Sequence, residues 1–278
     1  CTCMHPGRVS KTALKLALIT TIVSDREDWD EPLPDGAGAL SERLLLAADQ
    51  PMYRAGTIRL MKSWLGRLFT NASRTPYCGA ARRRCFMDLA VLSALEHGAT
   101  QVLILGAGFD TLCLRLAPRF PHVRFFEVDH PATSAAKARG IDAVGRPSNL
   151  LQIAADLGES RLSKVLDQHG GWDPQARTAV VAEGLLMYLT HDQTADLFAQ
   201  LTASIGPGSR VAFSHLLDLA SHGAMTLWAL RTFGEPWLSS WSHEELPAVI
   251  AALGWRVLDQ SPEQTGVFEA FAVVEVDR

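Results

Sequence analysis

The spacing of hydrophobic positions changes character about a third of the way along the chain. From about Ser10 to Gly98 apolar residues recur at helical intervals. Ser10 is placed to cap a helix that carries Leu14, Ala17, Leu18 and Thr21 on one stripe. Pro32-Leu33-Pro34-Asp35-Gly36 reads as a loop. Further helices are predicted over Ala39–Ala48, Thr57–Phe69 and Gly79–His97, with Gly98 as the C-cap of the last. From Gln101 onward short apolar runs alternate with helical stretches. The predicted strands are Gln101–Leu105, Arg124–Val128, Leu150–Ala154, Thr178–Ala182, Arg210–Phe213, Trp255–Leu258 and Phe268–Val276. Continuous apolar runs of this length suit strands buried on both faces. Their alternation with helices predicts an α/β fold with a mostly parallel sheet wound by right-handed crossovers. Only nine residues separate the last two strands, too few for a crossover, so they are expected to pair antiparallel at the sheet edge.

Composition narrows the partners. The chain has 278 residues, 47% of them hydrophobic, enough for one large α/β domain with or without an extension. The net charge is −4 and no Lys/Arg block dominates, Arg82-Arg83-Arg84 being too short to propose nucleic acid. Five cysteines, an odd number, argue against a disulfide framework and for a reducing cytoplasm. Cys1, Cys3 and His5 lack a further ligand at a usual spacing, so no metal site is expected there. Lys11 and Lys15 before Leu16–Val23 resemble the opening of a signal peptide, but the following Ser24–Asp28 offers no cleavage site. No apolar run approaches the ~20 residues that span a bilayer.

The first strand runs into Gly106-Ala107-Gly108, where a missing Cβ lets a ligand lie close to the backbone. The dinucleotide fingerprint needs a third glycine three residues later, and Thr111 stands there. Asp110 would repel a pyrophosphate at the helix N-terminus. It either caps the helix that follows or touches the ligand directly. The next strand ends in Glu127-Val128-Asp129, with Glu127 and Asp129 on the same side. A carboxylate about 20 residues past the glycines can accept hydrogen bonds from both ribose hydroxyls, and Asp129 is the nearer to the carboxyl edge. Ribose chemistry without phosphate chemistry, in an acidic lining, suits S-adenosylmethionine better than NAD.

"QVLILGAGFDTLCLRL", "FFEVDHP" with Lys137 downstream, "AADL" and "AEGLLMYLT", in this order, resemble the leucine carboxyl methyltransferase family. These are class I S-adenosylmethionine-dependent methyltransferases, with a bacterial branch acting on small molecules and polyketide acids. The resemblance covers roughly residues 79–190. It implies a Rossmann-like methyltransferase core over 99–278, with residues 1–98 a helical cap or lid. By motif it implies cofactor contacts for Gly106, Ala107, Gly108, Glu127, Val128 and Asp129, for Asp156 and Leu157 beside the adenine, and for Glu183 near the methionine ammonium. An arginine before the first strand holds the methionine carboxylate in the family; aligning on Asp88 points to Arg83, with Arg82, Arg84 and Arg74 as competitors. Adjacent helical residues point about 100° apart, so only one or two of the triplet are expected to face the site. Lys11 resembles a lysine that reaches the cofactor tail. A departure from the family is Leu112, where Asp-Thr-Arg is common.

Methyl transfer needs an aligned acceptor and a dry site. A carboxylate acceptor is already ionised at pH 7, whereas a hydroxyl usually needs a base. His215 is the leading candidate base, with His130 and His191 as others, and Tyr188 is a candidate hydrogen-bond donor to substrate. The apolar segment His215–Trp241 reads either as a helix packed on the sheet or as a wall over the substrate. The sequence thus points to an O-methyltransferase of a small organic acid or hydroxyl compound. The rivals are methylation of a protein C-terminus, an inactive cofactor-binding protein and an NAD(P)-dependent oxidoreductase.

Overall fold

The computed structural model describes residues 9–26, 33–63, 66, 74–218, 236–262 and 269–276. In the N-terminal part lie helices α1 (Lys11–Val23), α2 (Ala37–Ala47), α3 (Ala55–Lys62) and α4 (Arg74–Glu96). Ser10 caps α1 as expected, its side chain accepting a hydrogen bond from the Ala13 N–H at 3.1 Å. Helix α4 ends in a Schellman turn: Gly98 has φ +89°, and the Ala99 and Gly98 N–H groups reach back to the carbonyls of Ala94 and Leu95. The α3 helix starts two residues earlier than expected and is shorter, and most of the remaining expected span lies outside the described residues.

The sheet holds β1 (Gln101–Leu105), β2 (Arg124–Asp129), β3 (Leu150–Ala154), β4 (Thr178–Ala182), β5 (Arg210–Leu216), β6 (Trp255–Gln260) and β7 (Glu269–Val276) in the order β3-β2-β1-β4-β5-β7-β6. The first five are parallel, and β7 runs antiparallel to both β5 and β6. The antiparallel edge pair agrees with the expectation, but β7 inserts between β5 and β6. Burial explains which strand takes the edge: β7 is buried along most of its length, while β6 is largely exposed or half-buried. β7 also lengthens β5, whose ladder continues to Leu216 opposite Glu269.

Side-chain alternation sends β1 into two cores. Val102 and Ile104 join α1, α2, α4 and the helices α5 (Leu112–Leu116) and α6 (Pro131–Val144) on one face. Leu103 and Leu105 join α7 (Leu162–Asp167), α8 (His191–Ser204) and α9 (Leu246–Ala252) on the other. The N-terminal helices therefore share a continuous core with the sheet. A capping box starts α8, with Thr190 and Gln193 exchanging hydrogen bonds at 3.2 and 2.9 Å. The strand order reverses between β1 and β4, so their carboxyl ends open a crevice, the usual ligand position in such sheets.

Candidate active site

The crevice is a cavity of about 1240 Å³. Its floor is the turn after β1. Gly106 and Gly108 hold φ +66° and +46°, and the Gly106 N–H donates to the Val128 carbonyl at 2.9 Å. A Cβ on Gly108 would stand 3.0 Å from the Ala13 Cβ of α1. Gly108→Ala combines that crowding with a left-handed residue, a cost of about 1–2 kcal/mol. The expected result is a melting temperature several degrees lower; an unchanged melt would contradict the close approach.

Asp129 closes β2 beside this turn. Its carboxylate accepts from the N–H groups of Gly108 and, at 2.6 Å, His130. Burial pushes its pKa up to about 6, against the pull of those donors and of Lys137. Glu127 does share a side of β2 with Asp129, but two residues deeper. It is 2% exposed, sits 2.8 Å from the Lys137 ammonium and is not part of the cavity wall. The expected cofactor contact of Glu127 is therefore corrected: two residues deeper in the strand than Asp129, its side chain ends beneath the wall on Lys137. Val128, Asp156 and Leu157 are on the wall, and Asp156 accepts from the Gly158 N–H at 2.8 Å, holding the turn after β3.

Asp110 takes the first of the parts considered for it, capping α5, and also lies on the cavity wall. One carboxylate oxygen accepts from the Leu112 N–H at 2.5 Å, capping α5; the other accepts from the Arg84 guanidinium. Burial alone would raise its pKa, but Arg84, Lys137 and Arg115 hold the carboxyl below its usual range. Arg84 also donates to Glu183 at 3.2 Å. Arg83 donates to Glu183 at 2.9 Å and to both oxygens of Glu269 at 2.7 Å. Burial disfavours the Arg83 charge, and Glu269 and Glu183 more than reverse that effect. Burial pushes Glu183 up in spite of Arg84 and Arg83. Two arginines and three carboxylates thus form one buried network on the wall, between the end of β4, the start of β7 and α4.

All three residues of the arginine triplet, Arg82, Arg83 and Arg84, reach the cavity. The 100° rule underestimates this because the cavity follows the side of α4 from Tyr77 to Phe86 and long side chains bend toward it. Glu269 had no signal in the sequence; only the antiparallel register of β7 brings it opposite Leu216 and onto Arg83. Lys11 is exposed and off the wall, while Lys15, one turn on, lines it. The side chain of Arg74 lies outside the described residues.

Tyr188, in the turn Leu186–Tyr188 after β4, lines the cavity. His215 does not. It is fully buried, faces the core side of β5 with Phe213 and Trp241, and its Nδ1 lies 3.2 Å from the Leu216 carbonyl. Burial lowers its pKa to about 4. The expected base role for His215 is thus corrected: alternation along β5 turns the ring away from the wall. His191 stacks on Trp241, and His130 lines the cavity next to Asp129. Of the apolar segment after β5, residues 219–235 lie outside the described residues, as do Cys1, Cys3 and His5; Trp237 is on the wall.

The sequence profile of the leucine carboxyl methyltransferase family matches residues 46–202, more than half of the chain. The chain belongs to this family. A protein of Parafrankia sp. (strain EAN1pec), assigned as an S-adenosyl-L-methionine-dependent methyltransferase, is 31% identical over 257 residues, covering 89% of this chain and 77% of that one. One from Mycobacterium leprae (strain TN), assigned likewise, is 31% identical over 216 residues, covering 69% and 68%. In fold, the chain resembles a crystal structure assigned as a methyltransferase from Thermobifida fusca YX, with a TM-score of 0.60 at 15% identity over 85% and 94% of the two chains. The chain is an S-adenosylmethionine-dependent methyltransferase with the class I, Rossmann-like sheet. No described helix is long and apolar enough to cross a membrane.

The donor set fits this cofactor. A carboxylate stands at the end of β2, where sheets of this kind can hold a ribose, the glycine turn leaves no Cβ in the way, and the wall carries several carboxylates suited to cationic groups.

Proposed function

We propose that the enzyme transfers the methyl group to an oxygen of a small, partly apolar organic compound, with a carboxylate favoured over a hydroxyl. The observation that supports this is the cavity itself. It is larger than the roughly 300–1,000 Å³ usual for one ligand, and it joins the polar residues above to Leu16, Ile19, Phe86, Met187, Trp237 and Phe271. That gives a cofactor end and an apolar acceptor end in one enclosure.

The roles follow from position. Asp129 accepts the ribose hydroxyls, Asp156 and Leu157 flank the adenine, and Gly106–Gly108 form the shelf under the ribose. Glu183 accepts from the methionine ammonium, and the arginine cluster with Lys15 supplies the positive field for carboxylates. Bound, the cofactor supplies a methyl group on a sulfonium, open to in-line attack. The chain contributes alignment and exclusion of water. A carboxylate acceptor arrives ionised and needs no base; a hydroxyl acceptor would have to use His130, the candidate base that lines the cavity. Tyr188, beside Arg83, is placed to donate a hydrogen bond to the acceptor.

The test uses methyl-labelled cofactor with a panel of organic acids and phenols, followed by mild alkali. A methyl ester releases its label as volatile methanol, and a methyl ether keeps it. Release of most of the label is expected; full retention would sink the carboxylate reading.

A further inference from the structure

Beneath the glycine turn lies a charged group that the site as described does not use. Lys137, on α6, is 1% exposed. Its ammonium is 2.8 Å from Glu127 and 3.4 Å from the carbonyl of Ala107, the middle residue of the turn. Neither Lys137 nor Glu127 touches the cavity. A buried ion pair of this kind is a poor source of stability, because desolvation offsets most of its attraction and a pair of apolar residues often does as well. Its position suggests what it does instead. The Lys137 charge acts on three carboxylates at once: Glu127 at its side, Asp110 past the turn and Asp129 at the end of β2.

We propose that Lys137 is a positioning residue for the cofactor: from below it holds the Ala107 carbonyl, and so the glycine turn, and it supplies the counter-charge under Asp129. The inference rests on Asp129 being the ribose ligand. Several elements bring charged or titratable groups toward Asp129. Its own strand brings Glu127, and the next residue is His130. The turn brings the Gly108 N–H and Asp110, the latter paired to Arg84 of α4; on α5, Cys113 bonds Glu127 and Arg115 acts on Asp110 rather than on Asp129. The turn after β3 brings Asp156, and α1 brings Lys15 to the same cavity. Among the charges acting directly on Asp129, Lys137 opposes burial and Glu127 reinforces it, with Lys137 the stronger of the two. Ribose hydroxyls donate to the ionised carboxylate, so a buried carboxylate needs this help to be ready at neutral pH.

The experiment is calorimetric titration of S-adenosylhomocysteine from pH 5 to 8 on the parent protein, Lys137→Met, Lys137→Met/Glu127→Gln and Asp129→Asn. The parent should lose affinity below a midpoint near pH 6, and Asp129→Asn should bind weakly without that midpoint. Lys137→Met should move the midpoint up by about one pH unit, so that at pH 6 binding is roughly fivefold weaker than in the parent. The double variant, which carries no uncompensated buried charge, should shift it in the same direction by less. If the parent has no midpoint, or Asp129→Asn keeps it, the ribose assignment fails. If the parent and Asp129→Asn behave as stated but the double variant keeps the parent midpoint, or does not fold, Lys137 is only structural and the proposal is overturned.

Discussion

Asp129→Ala is expected to weaken S-adenosylhomocysteine binding about a hundredfold at pH 7.5. Two ribose hydroxyls donating to one carboxylate make two charge-assisted hydrogen bonds, each worth about 1.5 kcal/mol. Together they come to about 3 kcal/mol, or two powers of ten in affinity. The carboxylate is half-buried on the cavity wall, and among the described residues two backbone N–H groups, of Gly108 and His130, donate to it. Calorimetry measures the effect directly, and an affinity within threefold of the parent would remove Asp129 from the site.

The second large effect is on stability. Arg83→Met leaves Glu183 and Glu269 in a wall where both side chains are at most 13% exposed. Removing one partner of a buried pair costs about 3–5 kcal/mol, mostly as the uncompensated charge left behind. For a chain of this size the melting temperature should fall by roughly 10 °C. The sign of the rescue is specific. Neutralising the orphan with Arg83→Met/Glu269→Gln should recover several of those degrees, because the second change removes a charge that the first stranded. A single variant melting within about 2 °C of the parent would show that the network is not a unit.

The fold was largely legible because each strand is a short apolar run punctuated by a turn residue. Gly98 and Gly106 have positive φ where the chain must turn, and the short link before β7 already forbade a parallel edge. What the pattern could not show was the insertion of β7 between β5 and β6. That depends on which strand buries both faces, and burial along β6 and β7 is set by helices elsewhere in the chain. The site was legible where motifs sit on the turns after β1, β2, β3 and β4. Those turns meet at the strand-order reversal whatever the details.

It was less legible where a role depends on side-chain direction. Glu127 and His215 carry the right chemistry at the right end of the sheet, yet one lies beneath the wall and the other on the core face. Lys11 and Lys15 differ by one helical turn, and it is Lys15 that lines the cavity. Glu269 comes from a strand that shares no motif with the rest of the site, so nothing in its neighbourhood distinguished it. Asp110 is the reverse case. The sequence offered it as a helix cap or a ligand contact; the structure shows the cap on one oxygen and, on the other, an ion pair with Arg84 that the sequence did not signal.

The cofactor is expected to lie across the glycine turn with its ribose on Asp129 and its amino-acid end at Glu183. A crystal structure with S-adenosylhomocysteine tests it most directly. Both ribose hydroxyls should stand within hydrogen-bond distance of Asp129, the adenine beside Asp156 and Leu157, and the ammonium on Glu183. A ribose held by any other carboxylate, or a ligand seated away from Gly106–Gly108, would contradict it.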